Sequence, residues 1–176
     1  MITKINKKMI AKINKKNRAW WIAGVFYCLL TPVSCLLSSC GDDGPEVFDQ
    51  PFVRITTPSG TSSQVVLTNV RAVNTYTVYL SSRPVTDSLE VNYETIVGNG
   101  LQEDVDYKIV TTQNPLVFLP GIYDVPVRVR WLKNPVDPMK DNTLTIRLTG
   151  NSKGYNIGFP GPDHIQSQVT IEKRNE

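Results

Sequence analysis

Few side chains in this 176-residue chain could do chemistry, and their positions restrict what they could do. All three cysteines, Cys28, Cys35 and Cys40, lie at or before position 40. Everything downstream therefore has no thiol for a disulfide, a cysteine–metal site or a cysteine nucleophile. His164 is the only histidine, in the turn Pro162-Asp163-His164-Ile165. A general base needs a partner within hydrogen-bond reach, and a lone histidine on a Pro/Gly loop reads instead as an exposed loop residue. The chain has no Gly-x-Ser-x-Gly elbow, His-Glu-x-x-His pair or Gly-rich phosphate loop. Two carboxylates can run glycoside hydrolysis, but acids are common in loops and a domain this small offers little room for a deep cleft. The expectation is a protein that is not an enzyme. Tyr155 and Phe159, in a Gly/Pro-rich loop, are the candidates for ligand contact, because sugar rings stack on flat apolar faces. The alternative is that they plug the end of a core. Trp131 and Tyr123 lie on an alternating apolar face and read as core.

Cys40 stands where the chemistry of the chain reverses. Before it come a basic stretch (Lys4, Lys7, Lys8, Lys12, Lys15, Lys16 and Arg18) and an uncharged run from Ala19 to Ser39. After it comes Gly41-Asp42-Asp43-Gly44. A positive region, an apolar region and small residues before a cut is the layout of a secretory signal. Leu37-Ser38-Ser39-Cys40 resembles the lipobox of bacterial lipoproteins, which implies cleavage before Cys40 and acylation of its thiol. Two or more acyl chains anchor stably, whereas one binds marginally. Cys28 follows bulky Phe26-Tyr27, and Cys35 has Pro32 where a branched apolar residue should stand, so both are poorer lipidation sites. An uncleaved transmembrane helix is the competing reading, since the run approaches the ~20 residues needed to span. Pro32, Ser34, Ser38 and Ser39 weaken its second half. Asp42 and Asp43 resemble the acidic export signal of Bacteroidetes lipoproteins, which implies the outer face of the outer membrane. A solvated linker is the alternative.

The formal charge of +3 belongs to the leader. From Cys40 onward twelve basic residues face sixteen acidic ones, a net −4. With no basic patch visible in this part of the sequence, nucleic acid is not an expected partner.

Residues 1–39 thus read as a signal peptide and 40–51 as an acidic flexible tether with Gly and Pro breaks. Residues 52–176 are long enough for one domain with a real core. No helical periodicity appears in them. Tyr123, Val125, Val127, Val129 and Trp131 alternate with Asp124, Pro126, Arg128 and Arg130, the signature of a strand with one face in a core. Pro126 predicts an edge or a bulge there. Leu144, Ile146 and Leu148, then Leu89, Val91 and Tyr93, Tyr76, Val78 and Leu80, and Val169 and Ile171 repeat the pattern. Turn signals separate them, among them Pro58-Ser59-Gly60, Gly98-Asn99-Gly100 and Pro120-Gly121. The expectation is an all-β, immunoglobulin-like antiparallel two-sheet sandwich of about seven to nine strands.

From Val91 the order of features is more specific. Glu103-Asp104-Val105-Asp106-Tyr107 is followed by Phe118-Leu119-Pro120-Gly121, the strand Val125–Trp131, and Asp141-Asn142-Thr143-Leu144. This resembles the Calx-beta domain over about residues 85–172, and with the front end it is similar to single-domain Calx-beta-like lipoproteins of Bacteroidetes. The resemblance implies an adhesion or accessory interaction module anchored to the membrane by its lipid, with another envelope protein or a glycan as partner. Those relatives often accompany outer-membrane nutrient-uptake systems. Some Calx-beta domains bind calcium, and the carboxylates carried over are Glu103, Asp104, Asp106, Asp137 and Asp141. Calcium wants six to eight oxygens. The places where calcium-binding members are acidic read here Trp131-Leu132-Lys133-Asn134-Pro135 and Glu172-Lys173-Arg174, whose cations would repel the ion. No cofactor is therefore expected, and Asp106 is expected to bond a neighbouring backbone amide.

Overall fold

The computed structural model describes residues 50–176. Cys28, Cys35, Cys40, Asp42 and Asp43 lie outside the described residues, as do the signal segment and all but the last two tether positions. The alternating segments form ten strands: β1 (Phe52–Thr56), β2 (Ser63–Leu67), β3 (Ala72–Ser81), β4 (Leu89–Val97), β5 (Tyr107–Ile109), β6 (Leu116–Phe118), β7 (Asp124–Trp131), β8 (Thr143–Asn151), β9 (Asn156–Ile157) and β10 (Gln168–Arg174). No helix occurs among the described residues.

Side chains two apart point to one face of a strand, and the apolar sets do so here. In β7, Val127, Val129 and Trp131 are fully buried while Arg128 and Arg130 are exposed. Val53 and Ile55 of β1 and Tyr76 and Val78 of β3 share their core with Leu89 and Val91 of β4, Leu144 and Ile146 of β8, and Val169 and Ile171 of β10. Each such buried aliphatic contributes about 1.5–3 kcal/mol, and these are what hold a thiol-free domain together.

The strands form two five-stranded sheets, β5-β7-β3-β1-β9 and β2-β10-β8-β4-β6. With β1, β3, β7 and β5 as strands A, B, E and D, and β4, β8 and β10 as C, F and G, this is the immunoglobulin arrangement. Ten strands exceed the expected seven to nine, and two of the pairings are parallel: β1 with β9 and β2 with β10. The cause is a change of sheet. After β1, antiparallel to β3, the chain turns through a hydroxyl cluster of Thr57, Ser59 and Thr61. It then joins the other sheet beside the last strand. The segment between β4 and β7 also touches both sheets, β5 lying beside β7 and β6 beside β4.

Pro126 is tolerated because β5 ends short of it. β5 pairs only with residues 129–131, so at Pro126 β7 has β3 on one side alone. The Thr111 hydroxyl stands in for the missing ladder, accepting from the Arg128 N–H at 2.9 Å. The chain enters at one end of the sandwich, where Phe52 pairs with Ser81. It finishes at the other, where Glu172 pairs with Thr143. These are the near end and the far end below.

Candidate functional site

At the far end a cation sits against Asp106, and it belongs to the protein. β10 buries Val169, Ile171 and then Lys173 in the same inward phase. Lys173 is 1% exposed and Asp106 5%. The ammonium lies 2.9 Å from Asp106 Oδ1 and also donates to the Asp106 carbonyl at 3.3 Å. Asp106 accepts further from Asn134 Nδ2 at 3.0 Å and, through Oδ2, from the Gln102 N–H at 2.9 Å. Burial pushes this carboxyl up, but the bonds from Asn134, Lys173 and Gln102 and the Lys173 charge outweigh it and hold it below its ordinary value. The pair ties the loop before β5, in one sheet, to β10 in the other.

The other carboxylates of the calcium set point elsewhere. Asp104, at positive φ, pairs with Lys108 on the surface at 2.8 Å. Glu103 forms a backbone bridge with Tyr107. Asp137 Oδ1 accepts the Met139 N–H, and Asp141 Oδ1 accepts the Thr143 N–H and hydroxyl. Among the described residues no three His, Cys, Asp or Glu side chains come together in a way that could hold a metal. A cleft of about 450 Å³ opens between the 136–143 segment and the end of β10, with Lys173 among its lining residues. Asn175 closes one side, accepting from the Val136 N–H and donating to the Val136 carbonyl.

At the near end the two aromatic candidates part company. Tyr155 packs against the core, half-buried, with its carbonyl held by Asn151 Nδ2. Phe159 is 40% exposed and leans on Phe52, ring centroids 5.2 Å apart. Gly158 sets it there at φ +80°, where an added Cβ would run into the His164 carbonyl. The Arg54 guanidinium lies 5.1 Å from the Phe159 centroid and 4.9 Å from that of Tyr79, its partner across β1 and β3. Cation–π contacts of this kind contribute about 0.5–1 kcal/mol at exposed sites. Arg54 Nη1 also donates to Gln166 Oε1 at 2.6 Å, and Gln166, at φ 64°, donates to the Gly60 carbonyl. An arginine and two half-exposed rings are thus held in place by contacts from four separate parts of the chain.

The same sheet face continues into a basic stripe. Arg128 and Arg130 project outward two residues apart, about 6.7 Å along the strand. Lys108 of β5 stands directly opposite Arg130. No basic patch was expected from the sequence, yet the pairing of β5, β7, β3 and β1 gathers Lys108, Arg130, Arg128 and Arg54 on one face. His164 is exposed, and among the described residues no side chain hydrogen-bonds its ring. No protein-family model matches the chain, and no curated protein matches it in sequence.

Proposed function

We propose that the protein is a lipid-anchored cell-envelope protein whose Calx-beta-like domain is a non-catalytic adhesion or accessory interaction module. The observation that carries this reading is the run from the basic stretch through Leu37-Ser38-Ser39-Cys40 into Asp42 and Asp43. A helix-free sandwich that presents loops and sheet faces to solvent suits such a role. Cys40 carries the lipid, and the acidic pair directs the domain to the outer surface of the outer membrane; the periplasmic face is the alternative. Cys40→Ala is expected to move the protein from the membrane to the soluble fraction, and retention of that variant on membranes would refute the anchor. Protease shaving of intact cells distinguishes the two faces.

No cofactor is part of this proposal. Lys173 supplies at Asp106 the positive charge that a calcium ion would bring, so a chelator is expected to leave the melting temperature unchanged. A fall on adding chelator, reversed by calcium, would restore the metal reading. The second function, a surface glycan-binding protein accompanying nutrient uptake, is favoured by the Phe159–Arg54–Tyr79 surface. Calorimetry against a saccharide panel separates the two: binding of a saccharide selects the second, and a co-purifying envelope protein with no saccharide bound selects the first.

A further inference from the structure

We propose that the outer face of the β7–β3–β1 sheet binds an acidic polysaccharide, with Arg128 and Arg130 pairing its carboxylates and Tyr79, beside Arg54, stacking on a sugar ring. This rests on the glycan-binding reading above and names its site and ligand class.

The first observation is charge without compensation. Like charges directly opposite on a sheet destabilise it, yet Lys108 faces Arg130, with Arg128 one side-chain repeat away. Lys108 has Asp104. Among the described residues Arg54, Arg128 and Arg130 pair with no carboxylate. Two forked guanidinium groups on adjacent outward positions match carboxylates bidentately.

A second, independent observation is the aromatic platform on the same face. Tyr79 is 37% exposed and is fixed from one side by Arg54. Thr75 and Thr77 lie between it and the arginine stripe along β3, paired with Arg128 and Pro126 of β7. Asp124 stands opposite Tyr79, so the strip runs from a ring flanked by Arg54 and one exposed carboxylate, through the threonines, to Arg128 and Arg130 at the other end. Such a strip fits an extended chain of rings better than a small molecule, which wants a concave pocket.

Charge balance selects among polyanions. Twelve basic and twelve acidic residues follow position 49, so nothing beyond the local stripe attracts a densely charged nucleic acid or polyphosphate. A saccharide with one carboxylate per ring needs only that stripe.

The full chain in detergent, titrated with polygalacturonate and with its methyl-esterified neutral form, tests this. Binding to the acidic polymer alone is expected. Arg128→Ser with Arg130→Ser should weaken it about tenfold or more, and Tyr79→Ala by a similar factor. The arginine pair variant should melt at the same temperature or higher, because a repulsion has been removed. Lys140→Ser, at an exposed cation on a far-end loop, should bind as the parent does. Equal loss in the Lys140 variant, equal binding of the neutral polymer, or tighter binding of polyphosphate would each overturn the proposal. Undiminished binding by the arginine and tyrosine variants, or no binding of the acidic polymer by the parent, rejects this proposal while the glycan reading stands; no binding across the saccharide panel removes the glycan reading itself.

Discussion

Replacing Asp106 by alanine is expected to cost the domain about 3–5 kcal/mol, because it leaves the Lys173 ammonium buried without its counter-ion. The neighbours make the loss worse. Asn134 Nδ2 and the Gln102 N–H also give up their acceptor. The loop before β5 then loses its tie to β10. Urea denaturation at neutral pH, followed by far-UV circular dichroism, should show a large fall in midpoint at unchanged m-value. Asp106→Asn combined with Lys173→Met should recover much of the loss. It removes both charges, keeps an oxygen for the Gln102 N–H, and exchanges a buried ion pair for neutral groups, often at no net cost. The acid dependence has a definite sign. The Asp106 carboxyl is held below its ordinary value in the folded protein. Its stabilisation is therefore complete above the unfolded-state pKa of about 3.9 and is lost as pH falls through the lower folded value. The Asn–Met pair variant should lose less stability than the parent over that acid range. If Asp106→Ala shifts the midpoint no more than a surface substitution does, the ion pair contributes nothing.

The second large effect is expected at Trp131, the largest fully buried side chain among the described residues. Trp131→Ala should destabilise by about 3–5 kcal/mol, through lost burial and the cavity left behind. Trp131 closes β7 against Tyr107, their rings 6.1 Å apart. It stands between its sheet neighbours Ala72 and Tyr107. Its indole N–H makes no hydrogen bond among the described residues. The Tyr76 hydroxyl lies close to it and to Asn74, again without good hydrogen-bond geometry, and burial raises the Tyr76 pKa. The two polar atoms therefore add little, and Trp131→Phe should cost far less than the alanine variant. Tyr76→Phe should be neutral or mildly stabilising, since it deletes a buried hydroxyl that has no partner. No other tryptophan lies beyond residue 21. Emission from the chain after Cys40 therefore reports Trp131 alone and should shift to the red on unfolding. A Trp131→Phe variant as unstable as Trp131→Ala would mean that the indole N–H is satisfied after all.

The legible part of the fold was whatever repeats every second residue. Val127, Val129 and Trp131 against Arg128 and Arg130 announced both the strand and its buried face, because each side chain's environment follows from its parity alone. The same rule could have found Lys173. It continues the parity of Val169 and Ile171, and a lysine at an inward position demands a buried acid nearby. Beside Glu172 and Arg174 in the sequence, it shows only as a cation that repels calcium. That Asp106 is its partner was beyond the sequence, for the two are 67 positions apart.

Strand number and direction were not legible either. Whether a strand pairs in parallel depends on which sheet the chain joins after a turn, and nothing in Pro58-Ser59-Gly60 states that β2 will cross to lie beside β10. Nor did composition show the basic stripe. Twelve basic and twelve acidic residues follow position 49, an even balance that hides any patch. Arg54, Arg128, Arg130 and Lys108 share a face only because β1, β3, β7 and β5 lie side by side. By itself the sequence determined an all-β, cysteine-free domain and the inward phase of its strands, since these are properties of local pattern. Only the tertiary structure decided that Lys173 meets Asp106 in the core and that Arg54 sits between Tyr79 and Phe159, because such contacts are set by the pairing of distant strands.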